Sequence, residues 1–101
     1  MRTLLKVGMD TEAANDAITR GTFPKIIQSA MDRLHPEAAY FVAENGKRTA
    51  FIVFDLKESA DLPSVAEPFF TELNATVDAS PAMNIDDVAK GLGKADAERG
   101  R

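Results

Sequence analysis

The dipeptide Asn45-Gly46 stands between two runs rich in β-formers, Glu37 to Glu44 and Lys47 to Leu56. A two-residue type I′ turn needs positive φ at both central positions, and asparagine followed by glycine meets that need most easily. A turn of this length also sets the register. Glu44 must face Lys47, Val42 must face Thr49, Tyr40 must face Phe51 and Ala38 must face Val53. The other side of the hairpin then carries Ala39, Phe41 and Ala43 with Ala50, Ile52 and Phe54, because side chains alternate between faces. An isolated hairpin is marginal in water, so the rest of the chain must add strands and cover.

Residues 2–9 alternate, with Thr3, Leu5, Val7 and Met9 on one side, which predicts a strand. Asp10 or Thr11 can cap a helix that follows. Helical spacing runs through Ala13, Ala14, Ala17 and Ile18, pauses at Gly21 and Pro24, and resumes with Ile26, Ile27, Ala30, Met31 and Leu34. A broken helix over 11–34, its second part capped by Thr22, fits that pattern. His35-Pro36 ends it, because the residue before proline avoids the helical region. Leu62, Val65, Ala66, Phe69, Phe70 and Leu73 form a second amphipathic stripe. Pro63 suits a first turn, whereas Pro68 is expected to bend this helix or mark its start. Residues 75–83 alternate again. Asn84 then caps a short helix with Asp86 and Asp87 at its positive end and Val88 and Leu92 as its apolar side. Residues 94–101 read as a polar flexible tail.

Strand, helix, strand, strand, helix, strand is the split βαβ order of an α+β, ferredoxin-like βαββαβ domain. A single domain over 1–93 is expected, with a four-stranded antiparallel sheet, both helices on one face and the short C-terminal helix appended. Leu5, Val7, Phe41, Ile52, Phe54, Val77 and Ala79 belong to the covered face. Leu4, Lys6, Tyr40, Val42, Thr49, Phe51, Val53, Asp55 and Asp78 belong to the open one. A solvated sheet face normally turns polar, yet Leu4, Val42, Phe51 and Val53 are apolar and Tyr40 is aromatic. These four apolar residues are the candidate interface of a homodimer packed sheet against sheet, since a monomer rarely exposes such a patch.

Composition narrows function by exclusion. The 101 residues are 45% hydrophobic and 28% charged, an ordinary globular balance. There is no cysteine, so disulfide frameworks, zinc knuckles and thiol catalysis are out. The net charge of −4 gives no general attraction for nucleic acid or anionic lipid. Lys6, Asp10 and Glu12 interrupt any signal-like start, and no apolar run approaches the ~20 residues that span a bilayer. A cytoplasmic location is expected. No phosphate loop, nucleophile elbow or metal-ligand spacing occurs, and no cofactor is called for.

The candidate ligand-binding residues lie on the open face: Tyr40 as a phenolic donor, Thr49 as a hydroxyl, Lys6 as a cation, and Asp55 and Asp78 as carboxylates. Few polar groups among apolar neighbours make up a small-molecule pocket. Strand order lets Lys6 approach Asp78 and Arg2 approach Asp55, so ordinary cross-strand charge pairs are the competing reading. His35 is the one imidazole. It is either a proton shuttle or haem ligand, or a helix-ending residue suited to the dipole, and its place before Pro36 favours the second. Glu58, Asp61, Glu67 and Glu72 lie off the apolar stripe and read as a solvated face. Phe69 and Phe70 read as core.

The segments GTFPK (21–25), PEAAYF (36–41), NGKRTAFIVFDL (45–56) and AEPFF (66–70), with the element order over residues 2–83, resemble small bacterial dimeric α+β-barrel proteins. The resemblance implies two ferredoxin-like subunits with their sheets packed together. It implies no single activity. Members of that superfamily include cofactor-independent monooxygenases, isomerases, haem-handling proteins and proteins without a known reaction, so fold alone does not choose among them. A homodimer that binds a small, partly apolar molecule is the leading expectation. A cofactor-independent isomerase or monooxygenase using Tyr40 with Asp55 or Lys6, and a purely structural or partner-binding oligomer, are the alternatives.

Overall fold

The Asn45-Gly46 turn forms as expected, with φ of 54° and 76°, in a computed structural model that describes residues 1–100. It joins β2 (Ala38–Glu44) to β3 (Lys47–Asp55), in the register that the turn length dictates. The other elements are β1 (Arg2–Gly8), α1 (Thr11–Arg20), α2 (Phe23–Leu34), α3 (Leu62–Leu73), β4 (Thr76–Pro81) and α4 (Ile85–Arg99). The four strands make one antiparallel sheet in the order β2-β3-β1-β4. This is the ferredoxin-like α+β fold, with β1 and β3 central.

The core lies between the sheet and α1, α2 and α3. Leu5, Val7, Ala50, Ile52 and Phe54 from the sheet meet Ala14, Ala17, Ala30, Val65, Phe69 and Leu73 from the helices. Asp10 caps α1 by accepting from the Ala13 N–H at 3.0 Å. Gly21 closes that helix in the left-handed region, at φ 77°. Thr22 does not cap α2 with its side chain. Its own backbone is helical and its hydroxyl donates to the Ala17 carbonyl at 3.2 Å, so it ties the break between α1 and α2 instead.

Pro68 neither bends nor starts α3, which begins at Leu62 and runs through it. Proline removes the N–H that would bond the carbonyl four residues back. That carbonyl belongs to Ser64, and it accepts from Arg33 Nη1 at 2.6 Å. An arginine on α2 thus replaces the lost donor.

Phe41, Ala79, Ile18 and Phe70 were expected to be covered and are exposed. β2 is an edge strand, and Phe41 on it stays 50% exposed. Ala79 lies on the opposite edge strand. On α3 the buried line is Val65, Phe69 and Leu73. Phe70 is turned about 100° from it and is 42% exposed. α4 also exceeds expectation: it continues to Arg99, through residues 94–99 that had read as a polar tail.

Candidate functional site

The strand registers place Leu4, Lys6, Tyr40, Val42, Thr49, Phe51, Val53, Asp55 and Asp78 on one sheet face, opposite the face that α1 to α3 cover. The charges on it pair differently from expectation. Lys6 bonds Glu44 at 2.5 Å and not Asp78. The four-carbon stem reaches diagonally across β3, over the Phe51 ring (5.8 Å to its centre). Thr49, beneath that bridge, is only 3% exposed, and its hydroxyl donates to the Lys47 carbonyl at 3.1 Å. The Glu44 hydrogen bond and its charge raise the Lys6 pKa, with a smaller contribution from Asp78. That pairing favours the charged form of Lys6.

Arg2 likewise passes over Asp55. It bonds Glu37 at 3.0 Å and Asp87 at 2.8 Å, and those two carboxylates, Glu37 first, raise its pKa. Asp55 accepts instead from Lys57 and from the chain's amino terminus, each at 2.6 Å. The Lys57 hydrogen bond, then that of the amino terminus, holds its pKa down at about 2. Facing positions in a register are close at Cβ, but long side chains reach past them to whichever charge is less encumbered.

The five candidate ligand residues do not converge. Lys6, Thr49 and Asp78 line one polar depression of about 530 Å³. Asp55 lines another, of about 520 Å³, with Arg2, Glu37 and Asp87. Tyr40 stands between them on the sheet, 68% exposed. His35 occupies the C-cap of α2 at φ 44°, its backbone N–H donating to the Met31 carbonyl. Among the described residues no group of three or more carboxylate, imidazole or thiol side chains is arranged to hold a metal ion. No helix among them is long and apolar enough to cross a membrane.

A different site emerges where β2 escapes the helices. A groove of about 640 Å³ runs between α2 and the β2–β3 hairpin, lined by Phe23, Ile27, Phe41, Ala43 and Met9, with Arg48 as its one charged residue. Arg48 donates to the Asn15 side-chain oxygen at 2.9 Å. No carboxylate among the described residues forms an ion pair with it. Asn15 orients the guanidinium without neutralising it, and much of its donor fork remains for another acceptor. The hairpin register contains the signal for this site. Arg48 falls on the helix-facing side, opposite Ala43, and is the one charge in an otherwise apolar alternation.

No family model matches the chain, and no curated protein does. Among solved structures, it is similar to a protein from Deinococcus radiodurans whose crystal structure is named for an antibiotic biosynthesis monooxygenase. The identity is 15%, over 83% of this chain and 94% of that one, with a TM-score of 0.43. No activity is carried across at that distance.

Proposed function

We propose that the protein is a homodimer joined through its open sheet face, and that each protomer binds a small, partly apolar carboxylic acid in the groove between α2 and the hairpin. The observation that carries the ligand reading is Arg48, an uncompensated guanidinium at an apolar lining. Its planar fork matches a carboxylate in a bidentate fashion. The groove falls within the ~300–1,000 Å³ typical of small-molecule sites. Its walls reward an apolar tail at about 25 cal/mol per Å² removed from water.

Binding is favoured over acid–base catalysis by what the lining lacks. No carboxylate, imidazole or phenol is among the groove residues, so a proton-transfer partner for a bound acid is not at hand. The dimer reading rests on the open face, where Leu4, Phe51 and Val53 remain partly exposed and Val42 and Tyr40 are exposed. Calorimetric titration with linear and aromatic carboxylic acids tests the ligand reading. Binding should weaken at least tenfold in Arg48→Met and for the alcohol of equal length, and should survive Tyr40→Phe. Equal affinity of Arg48→Met and wild type would overturn it.

A further inference from the structure

α4 stands away from the body of its own protomer and leaves most of its apolar stripe uncovered. At 100° per residue, Ile85, Val88, Ala89 and Leu92 share one stripe, while Asp87, Lys90 and Lys94 lie on the opposite side. A surface helix normally turns its stripe to the core. Here the side chain that ties α4 to the body is Asp87, bonded to Arg2 at 2.8 Å. Val88, at the middle of the stripe, is half-buried, but the two ends of the stripe are open to solvent, with Ile85 79% and Leu92 65% exposed. No residue of α4 is buried. The projecting helix stretches the molecule to 61 × 28 × 18 Å, with a radius of gyration of 16.5 Å, against about 13 Å for a compact chain of this length.

Two further facts say what covers the stripe. Arg2 lies on the open sheet face, so α4 departs from the rim of the surface that already lacks cover, and a second sheet laid on that face would lie beside it. The open face is also small. Four strands of about seven residues project roughly 450 Å², so a neighbouring element that joins the contact enlarges it towards the ~800 Å² of accessible surface that each partner contributes to a standard interface. A 15-residue helix, about 22 Å long, adds roughly 200 Å². Gly91 and Gly93 each weaken the helix, and a helix of this length is marginal alone, so it gains from a docking surface. A bilayer surface is a poorer match. Residues 85–99 carry Lys90, Lys94 and Arg99 against Asp86, Asp87, Asp96 and Glu98, whereas membrane-surface helices are rich in bases.

From this placement we infer that α4 is a dimer arm, whose Ile85–Val88–Leu92 stripe packs on the second copy of the chain. The inference rests on the sheet-to-sheet dimer proposed above. Sedimentation velocity of the full chain over a concentration series tests it, with far-UV circular dichroism confirming that each variant folds. Ile85→Lys combined with Leu92→Lys should raise the dimer dissociation constant at least tenfold, while Lys90→Ala on the polar side should leave it unchanged. A dimer as tight in the double variant as in wild type overturns the arm and leaves the sheet interface standing. A monomeric wild type overturns both. Binding of wild type to anionic phosphatidylserine vesicles that the double variant loses, with dimerisation unaltered, likewise overturns the arm.

Discussion

The bond from Arg33 to the Ser64 carbonyl makes a quantitative prediction about how α3 tolerates Pro68. In an unbroken helix that carbonyl would accept from the N–H of residue 68, which proline lacks. Arg33 Nη1 takes the place at 2.6 Å. A hydrogen bond from a charged donor contributes ~1.5–3 kcal/mol in general. Ser64 is exposed, so water competes and the contribution falls to about 1 kcal/mol. Arg33→Met should therefore cost about 1 kcal/mol in the wild-type background. In Pro68→Ala the restored N–H can satisfy the carbonyl, and Arg33→Met should cost only a few tenths. The coupling of the double-mutant cycle, read from urea unfolding at fixed protein concentration, is then about 0.7 kcal/mol. For a domain of this size 1 kcal/mol moves Tm by ~4–8 °C, so the effect is measurable. Additive losses in the four proteins would refute the claim that Arg33 stands in for the missing donor.

Phe69→Ala should cost ~3–5 kcal/mol, while Phe70→Ala, one position along, should cost about 1 kcal/mol; urea unfolding that ranks them equally would reject the burial assignment. Asp55 has its pKa depressed from 3.8 to about 2, so its contribution to stability is present above about pH 4 and is lost as pH falls towards 2. Asp55→Asn should flatten the stability profile across that window, modestly because the pair is exposed. His35 holds a left-handed backbone at φ 44°, so His35→Gly should raise stability by up to ~1 kcal/mol without weakening ligand binding. Lost binding in a stable His35→Gly would restore a functional histidine.

Where a local rule governed the outcome, the chain was legible. Asn45-Gly46 set the hairpin register, Gly21 the break between α1 and α2, and His35 the end of α2. With register known, the residues of the open face could be named individually. Side-chain reach was not legible. Strand order lets Lys6 approach Asp78 and Arg2 approach Asp55, yet both side chains span β3 to other carboxylates, because a flexible stem answers to the whole local field. Pro68 misled for a similar reason: its penalty is local, but the compensating donor comes from Arg33, thirty-five positions away in sequence. The groove was hidden because it depends on how far α2 overhangs an edge strand, which no periodicity encodes. Arg48 among apolar neighbours was its only trace. α4 outran its expected length because the polar composition of residues 94–101 reads as a flexible tail, whereas the helix that the capping box of Asn84 and Asp87 starts continues through residues 94–99.

Two surfaces have separate roles in the proposed function, the groove for a ligand and the open sheet face for a partner. Backbone amide shifts of the labelled protein, followed by NMR during titration with a medium-chain carboxylic acid, test that division most directly. Saturable shifts are expected at Ile27, Gln28, Phe41, Ala43 and Arg48, absent in Arg48→Met, with Leu4, Tyr40 and Val53 unmoved. Saturable shifts centred on Tyr40, Lys6 and Asp78, with the groove amides silent, would contradict it.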